Sequence, residues 1–200
     1  MNTLRNKIVS RIYGNGRGWC FTRSDFLDIA SPDAIDVNLH RLNNESIIIR
    51  ASRGVYCYPK HSKLLNVFLS PDIDQIASAI ARKFNWEIQP TGDAALNILG
   101  LSNQVPGKFT YLSNGPSKEY KIENIDLIFK RTALKNSGFK YRKSSIVFQA
   151  LKALGEKNIS GDTVKIIRDF LTLDERKKVL KDTEKTTAWV YEIIKQICQN

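Results

Sequence analysis

The chain of 200 residues carries 31 Lys/Arg against 20 Asp/Glu, a formal charge of +11, with 42% apolar residues. That length and apolar content suffice for one large core or two small ones, and the charge points to a polyanionic partner without naming it. No stretch has the length and apolarity of a signal peptide or membrane span, and Cys20, Cys57 and Cys198 form neither a metal pattern nor a disulfide framework; a disulfide-stapled secreted domain is thereby excluded and a cytoplasmic protein expected.

The N-terminal elements come first. Thr3–Tyr13 reads as a helix, and Thr22 is placed to cap a second short one. Ser31-Pro32-Asp33, a cap followed by proline at the first helical position, opens a third helix through about Asn43. Ile47–Tyr58 then forms two short β-rich runs turning around Gly54. Three helices followed by a hairpin with arginines at its tip predict a winged helix-turn-helix over residues 1–63. This third of the chain has ten Lys/Arg against five Asp/Glu, nearly half of the excess charge.

Residues 64–71 read as a linker, with a boundary near residue 70 marked by Ser70-Pro71-Asp72. Residues 72–200 are expected to form an α+β domain. Asp72–Phe84 has helical spacing with Ile73, Ile76, Ala77 and Ile80 on one face. Trp86–Pro90 suits a strand, Thr91–Leu101 a short helix closed by Gly100, and 109–112, 118–122 and 125–131 three further strands. From Ser144 the chain turns helical, with apolar faces at Ile146/Val147/Ala150/Leu151/Leu154, at Val164/Ile167/Leu171 and at Trp189–Ile197, and a capping box at Thr172–Glu175.

On the third helix Ile35, Leu39 and Leu42 mark the core face, leaving Asp33, Val37, His40, Arg41 and Asn44 opposite. His40 and Arg41 suit base edges or phosphates and Val37 a thymine methyl. The alternative is a solvated face with Arg41 paired to Asp36 or Glu45. Arg50 and Arg53 flank the glycine turn, with Lys60, His61 and Lys63 close behind. Arginine at such a tip suits a narrow minor groove, although edge strands also carry charge to prevent sheet pairing. The candidate DNA-contacting set is Thr22, Ser31, Asp33, Val37, His40, Arg41, Arg50, Arg53, Tyr56 and Lys60. Arg5, Lys7, Arg11 and Arg17 could touch the DNA backbone from the side, or only solubilise.

Two basic features lie further along. Lys177, Lys178, Lys181 and Lys185 form a stripe that reads as a solvated helix face. Phe139-Lys140-Tyr141-Arg142-Lys143 interleaves aromatics with cations, a pattern that can clamp single strands, and reads here as a loop leading into the helical tail. Catalysis is not expected, nor any metal or cofactor. Thr91-Gly92-Asp93 lacks the pattern of a phosphate loop, and Asp126 has no aspartate two residues away for two-metal chemistry.

Six motifs then occur in a familiar order: Gly18-Trp19-Cys20-Phe21-Thr22 with Asp25-Phe26-Leu27; Leu39-His40-Arg41-Leu42; Arg53–Pro59; Leu99-Gly100-Leu101-Ser102-Asn103-Gln104-Val105-Pro106; and Tyr111–Ser117. Over nearly its whole length the chain resembles the DUF6088 family of bacterial proteins, related to AbiEi-type antitoxins of type IV toxin–antitoxin and abortive-infection systems. The resemblance implies a winged-helix domain joined to a C-terminal antitoxin domain, autorepression through double-stranded inverted repeats at the protein's own promoter, and a nucleotidyltransferase-like toxin encoded next door. In that scheme the antitoxin domain counters the toxin without necessarily forming a stable complex. Arg41, Arg53 and Tyr56 carry across as recognition-helix and wing positions; Asp33 and Asp36 prevent transfer of an operator sequence. Three rival readings stay open: a module that binds a toxin or other protein directly, an RNA-binding protein, and a nucleotidyltransferase acting through Asp126.

Overall fold

A computed structural model describes residues 3–62, 64–102, 107–132 and 139–199. It divides into two units, residues 1–86 and 87–200. The mixture of helix and strand is α+β.

In the first unit, helix α1 (Leu4–Asn15) starts where the Thr3 hydroxyl accepts the Asn6 N–H, and it buries Ile8 and Ile12. Strand β1 (Cys20–Phe21) leads into Thr22, which closes a capping box with Asp25 over the 3-10 helix Arg23–Phe26: the Thr22 hydroxyl accepts the Ser24 N–H, and the Asp25 carboxylate accepts the Thr22 N–H at 2.8 Å. Helix α2 (Pro32–Asn44) has its proline at the first helical position, where no N–H is missed. Its Ile35, Leu39 and Leu42 are fully buried with Ile8, Ile12, Phe21, Phe26 and Ile48. Strands β2 (Ile49–Ser52) and β3 (Val55–Cys57) form a hairpin through Arg53-Gly54, and Gly54 supplies the φ of +76° that the turn needs. The sheet order is β1-β3-β2, all antiparallel.

The register of that sheet sets Cys20 opposite Cys57, and the two form a disulfide across 37 residues of sequence. This corrects the expectation that the cysteines form no disulfide, and it removes cysteine usage as a ground for expecting a reducing compartment. Linear spacing carries no information about cross-strand register; pairing of β1 with β3 creates the juxtaposition. Cys198 is free.

The stretch expected as a linker holds a second, two-stranded hairpin, β4 (His61–Ser62) and β5 (Val67–Phe68). After it, helix α3 (Ile73–Phe84) is capped by the Asp72 carboxylate and ends at Asn85 in the left-handed conformation. The units part after this helix, at Trp86, and not near residue 70. The reason is physical: α3 packs on β1 and β3. Its Arg82 donates to the Asp25 carboxylate and the Cys20 carbonyl, both at 2.7 Å.

The second unit has a four-stranded sheet of β6 (Ile88–Pro90), β7 (Lys108–Ser113), β8 (Lys118–Ile122) and β9 (Ile125–Arg131), in the order β6-β7-β9-β8. β9 lies between its two predecessors, parallel to β7 and antiparallel to β8. Its run Leu127-Ile128-Phe129 is buried, as expected of a central strand. Helix α4 (Gly92–Ile98) packs on α5 (Arg142–Leu154) so closely that a Cβ on Gly92 would stand 2.6 Å from that of Ala153. The remaining helices are α6 (Gly161–Phe170), α7 (Leu173–Asp182) and α8 (Ala188–Cys198). One apolar core joins α4 and α5 to this helical tail, with Leu99, Ile146, Leu151, Ile167, Val179 and Ile194 among its members. Among the described residues no helix is long and apolar enough to cross a membrane.

Candidate nucleic-acid interface

Helix α2 presents the face that its periodicity predicts. With Ile35, Leu39 and Leu42 in the core, Ser31, Asp33, Val37, His40, Arg41 and Asn44 are exposed. Neither carboxylate expected to compete for Arg41 does so. Asp36 pairs with Arg23 at 2.9 Å and Glu45 with Arg5, so Arg41 makes no ion pair among the described residues. The Asp36–Arg23 pair also offsets one of the two acidic groups that would repel phosphate from this helix; Asp33 is in no ion pair among the described residues. Asn44 Nδ2 lies 3.3 Å from His40 Nε2.

The same sorting applies across the rest of the unit. Arg11 grips the Asp28 carboxylate through two nitrogens at 2.6 and 2.7 Å and donates to the Asp25 carbonyl. Its hydrogen bond to Asp28 raises the arginine's own pKa and lowers that of Asp28. Arg17 donates to the Pro59 carbonyl and lies over the Tyr58 ring. Arg5, Arg11 and Arg17, considered as flanking contacts, are thus engaged by partners within the protein, whereas Lys7 is exposed and in no ion pair among the described residues. Arg53, at the hairpin tip, and Lys60 are exposed with no ion pair among the described residues, and the exposed Arg50 reaches only the Ser52 carbonyl, at 3.4 Å. Lys63 lies outside the described residues, as does the Asn103–Pro106 part of its motif.

Two of the candidate contacts face inward. Thr22 is 1% exposed and its hydroxyl is engaged in capping. Tyr56 is half-buried, its ring 6.4 Å from that of Phe21 and packed on the core. Both residues support the surface from beneath it.

The hairpin tip and α2 meet at a cleft of about 410 Å³ lined by Thr22, Arg23, Asp36, Arg53, Gly54 and Lys83. Three cations from three different elements surround one carboxylate that Arg23 already neutralises. Lys83 sits at the end of α3, thirty residues from the hairpin tip, and no sequence signal linked the two. Arg23 was visible only as a residue of the capped turn.

In the second unit, Asp126 is ion-paired to Lys121 at 2.8 Å. Among the described residues no three His, Cys, Asp or Glu side chains gather as a metal site. Glu175 is the polar centre of this unit. One oxygen accepts the Tyr141 hydroxyl at 2.8 Å, and the other accepts Lys143 Nζ at 2.6 Å and the Thr172 N–H at 3.0 Å. Burial raises its pKa, but these three donors outweigh burial and hold it down to about 2. Burial and the hydrogen bond to Glu175 push the Tyr141 phenol up to about 12. Asp182 accepts the N–H groups of Lys140 and Tyr141, fixing the start of α5.

A profile of the DUF6088 family, a family of unknown function, matches residues 7–179, and the chain belongs to that family. No curated protein matches it. Among solved structures, that of the RV2827C protein from Mycobacterium tuberculosis aligns over 98% of this chain and 76% of its own, with 11% identity and a TM-score of 0.43.

Proposed function

We propose that this DUF6088 protein is a cytoplasmic DNA-binding transcriptional repressor and antitoxin that autoregulates its operon and counters a nucleotidyltransferase-like toxin. The observation that carries the DNA reading is the cleft where Arg53 of the hairpin tip meets the Asp36 edge of α2, the helix whose Val37, His40 and Arg41 are exposed. A helix face and an adjacent arginine-tipped hairpin suit the major groove and the flanking minor groove of one duplex. Val37, His40 and Arg41 read the major groove, and Arg50, Arg53 and Lys60 supply the charge for the backbone or minor groove. Three phosphate contacts would give a log–log salt slope of about −2.7.

The test is a titration of the purified protein on its own upstream promoter duplex and on a scrambled duplex at two salt concentrations. Specific binding is expected, with Arg41→Ala costing about 1–3 kcal/mol on the promoter only and Lys60→Ala weakening both duplexes alike. Equal affinity for the two duplexes, or equal loss on both in Arg41→Ala, would refute the assignment. The antitoxin half is tested by co-expression with the adjacent gene's product, which the full chain should render harmless.

One observation favours a protein-interaction reading. The β4–β5 hairpin and the residue after it expose five large apolar side chains close in sequence, Leu64, Leu65, Val67, Phe68 and Leu69, and grouped exposed apolar residues suit a protein contact. Co-purification with the toxin, lost in Leu64→Asp/Phe68→Asp, would support direct binding.

A further inference from the structure

The two basic motifs of the second unit that the DNA reading leaves unused come together in space. The aromatic–cation run at 139–143 and the lysine stripe of α7 line one cleft of about 760 Å³, within the size range of small-molecule sites. From the first motif come Phe139, Lys140 and Tyr141; from α7 and the turn after it come Lys178, Lys181 and Lys185. The cleft lies wholly within the second unit, so its chemistry is independent of α2 and the arginine hairpin.

Its two kinds of surface are complementary to the two halves of a nucleotide. Phe139 packs against Phe148 with ring centroids 5.1 Å apart, and both half-buried rings border the cleft. Tyr141 is held by its hydroxyl on Glu175, and Lys178 Nζ lies 5.7 Å from the centre of its ring. Fixed aromatic rings at the wall of a cleft offer a stacking surface to a base. Lys140, Lys178, Lys181 and Lys185 are exposed and make no ion pair among the described residues. Against these four charges stand two carboxylates. Asp182 is engaged with the N–H groups of Lys140 and Tyr141, and Glu184 is exposed. The balance is cationic, as phosphate requires.

We infer that this cleft is a nucleotide-binding site, in which the Phe139 region stacks the base and Lys178, Lys181 and Lys185 hold the phosphates. The ligand is either a free nucleotide or one nucleotide of a single-stranded RNA, which share this chemistry.

The test is calorimetric titration of the full chain with ATP, GTP, CTP and UTP in turn, with inorganic tripolyphosphate, and with an eight-nucleotide oligoadenylate RNA. At least one nucleotide should bind at a single site. Lys181→Gln/Lys185→Gln, which changes only exposed side chains, should weaken it tenfold or more, while Arg53→Ala leaves it unchanged. Phe139→Ala, with folding checked by thermal unfolding, should weaken the nucleotide but not tripolyphosphate. Both sources of ligand support the inference: an oligoadenylate that binds more tightly than any free nucleotide identifies a strand, and the reverse order a free nucleotide. The inference fails if neither nucleotides nor the RNA bind, if tripolyphosphate binds as tightly as every nucleotide, or if the double lysine variant binds like the parent. None of these outcomes touches promoter binding by the first unit, so failure here and failure of the repressor reading are separable.

Discussion

Glu175→Gln isolates one carboxylate whose partners are all accounted for. The substitution keeps shape and one carbonyl oxygen but removes the charge that gathers Tyr141, Lys143 and Thr172. A carboxylate whose pKa falls from 4.5 to about 2 on folding adds at most roughly 3 kcal/mol at neutral pH. Its side chain is 21% exposed and that of Lys143 is 27%, and solvent screening reduces the figure to about 2 kcal/mol. Because the folded value lies below the unfolded one, the contribution is complete above about pH 4.5 and is lost as pH falls through about 2. Urea denaturation of the parent and of Glu175→Gln at pH 7, 5 and 3 reads this directly. The stability gap should be about 2 kcal/mol at pH 7, nearly as large at pH 5, and below half of that at pH 3. A gap that stays constant from pH 7 to pH 3 would refute the reasoning, since the variant's defect would then be one of packing rather than charge.

Two further substitutions probe packing and attachment. Arg82→Ala removes two short charge-assisted hydrogen bonds and leaves Asp25, only 11% exposed, without its cation; a loss of about 2–3 kcal/mol is expected by chemical denaturation, and a change within 0.5 kcal/mol would mean that α3 is held by its apolar face alone. Gly92→Ala separates propensity from contact: an unobstructed helix position gains about 0.5–1 kcal/mol from alanine. Here the new methyl meets Ala153 Cβ at 2.6 Å, so thermal unfolding should show a net loss of about 1–3 kcal/mol.

Local chemistry made most of the elements legible. Thr22 as a cap, the Thr172–Glu175 box, Pro32 at the first position of α2 and the Ile35/Leu39/Leu42 stripe each specify a boundary or a face through neighbours a few residues away, and the structure places them as read, with Asp25 added as the partner that completes a box at Thr22. What escaped depends on partners distant in sequence. Cys20 and Cys57 meet only because β1 pairs with β3. An amphipathic helix such as α3 announces that it covers something, but not which sheet, so Ser70-Pro71-Asp72 reads as a boundary although α3 belongs to the first unit, where Arg82 bonds the Cys20 carbonyl. The exposed residues of α2 followed from periodicity. Which arginines would remain unpaired did not, because Asp28, Asp36 and the Pro59 carbonyl reach Arg11, Arg23 and Arg17 through the tertiary fold. Tyr56 shows the same limit, since a ring packed on Phe21 looks like any other tyrosine in the sequence; Thr22 is legible as a cap, and that role already occupies its hydroxyl.

The placement of β9 between β7 and β8 sets an order of events during synthesis. Residues 108–122 leave the ribosome before 125–131, so the two earlier strands emerge with a vacancy between them that only the later one fills. β7 can pair with β6 in the meantime, but β8 has no partner until β9 arrives. A chain interrupted between residues 122 and 124 therefore carries a complete orphan strand with open edges on both sides, the form most exposed to pairing with other chains. Closure of this sheet therefore waits on β9, and β8 stays unpaired until it arrives.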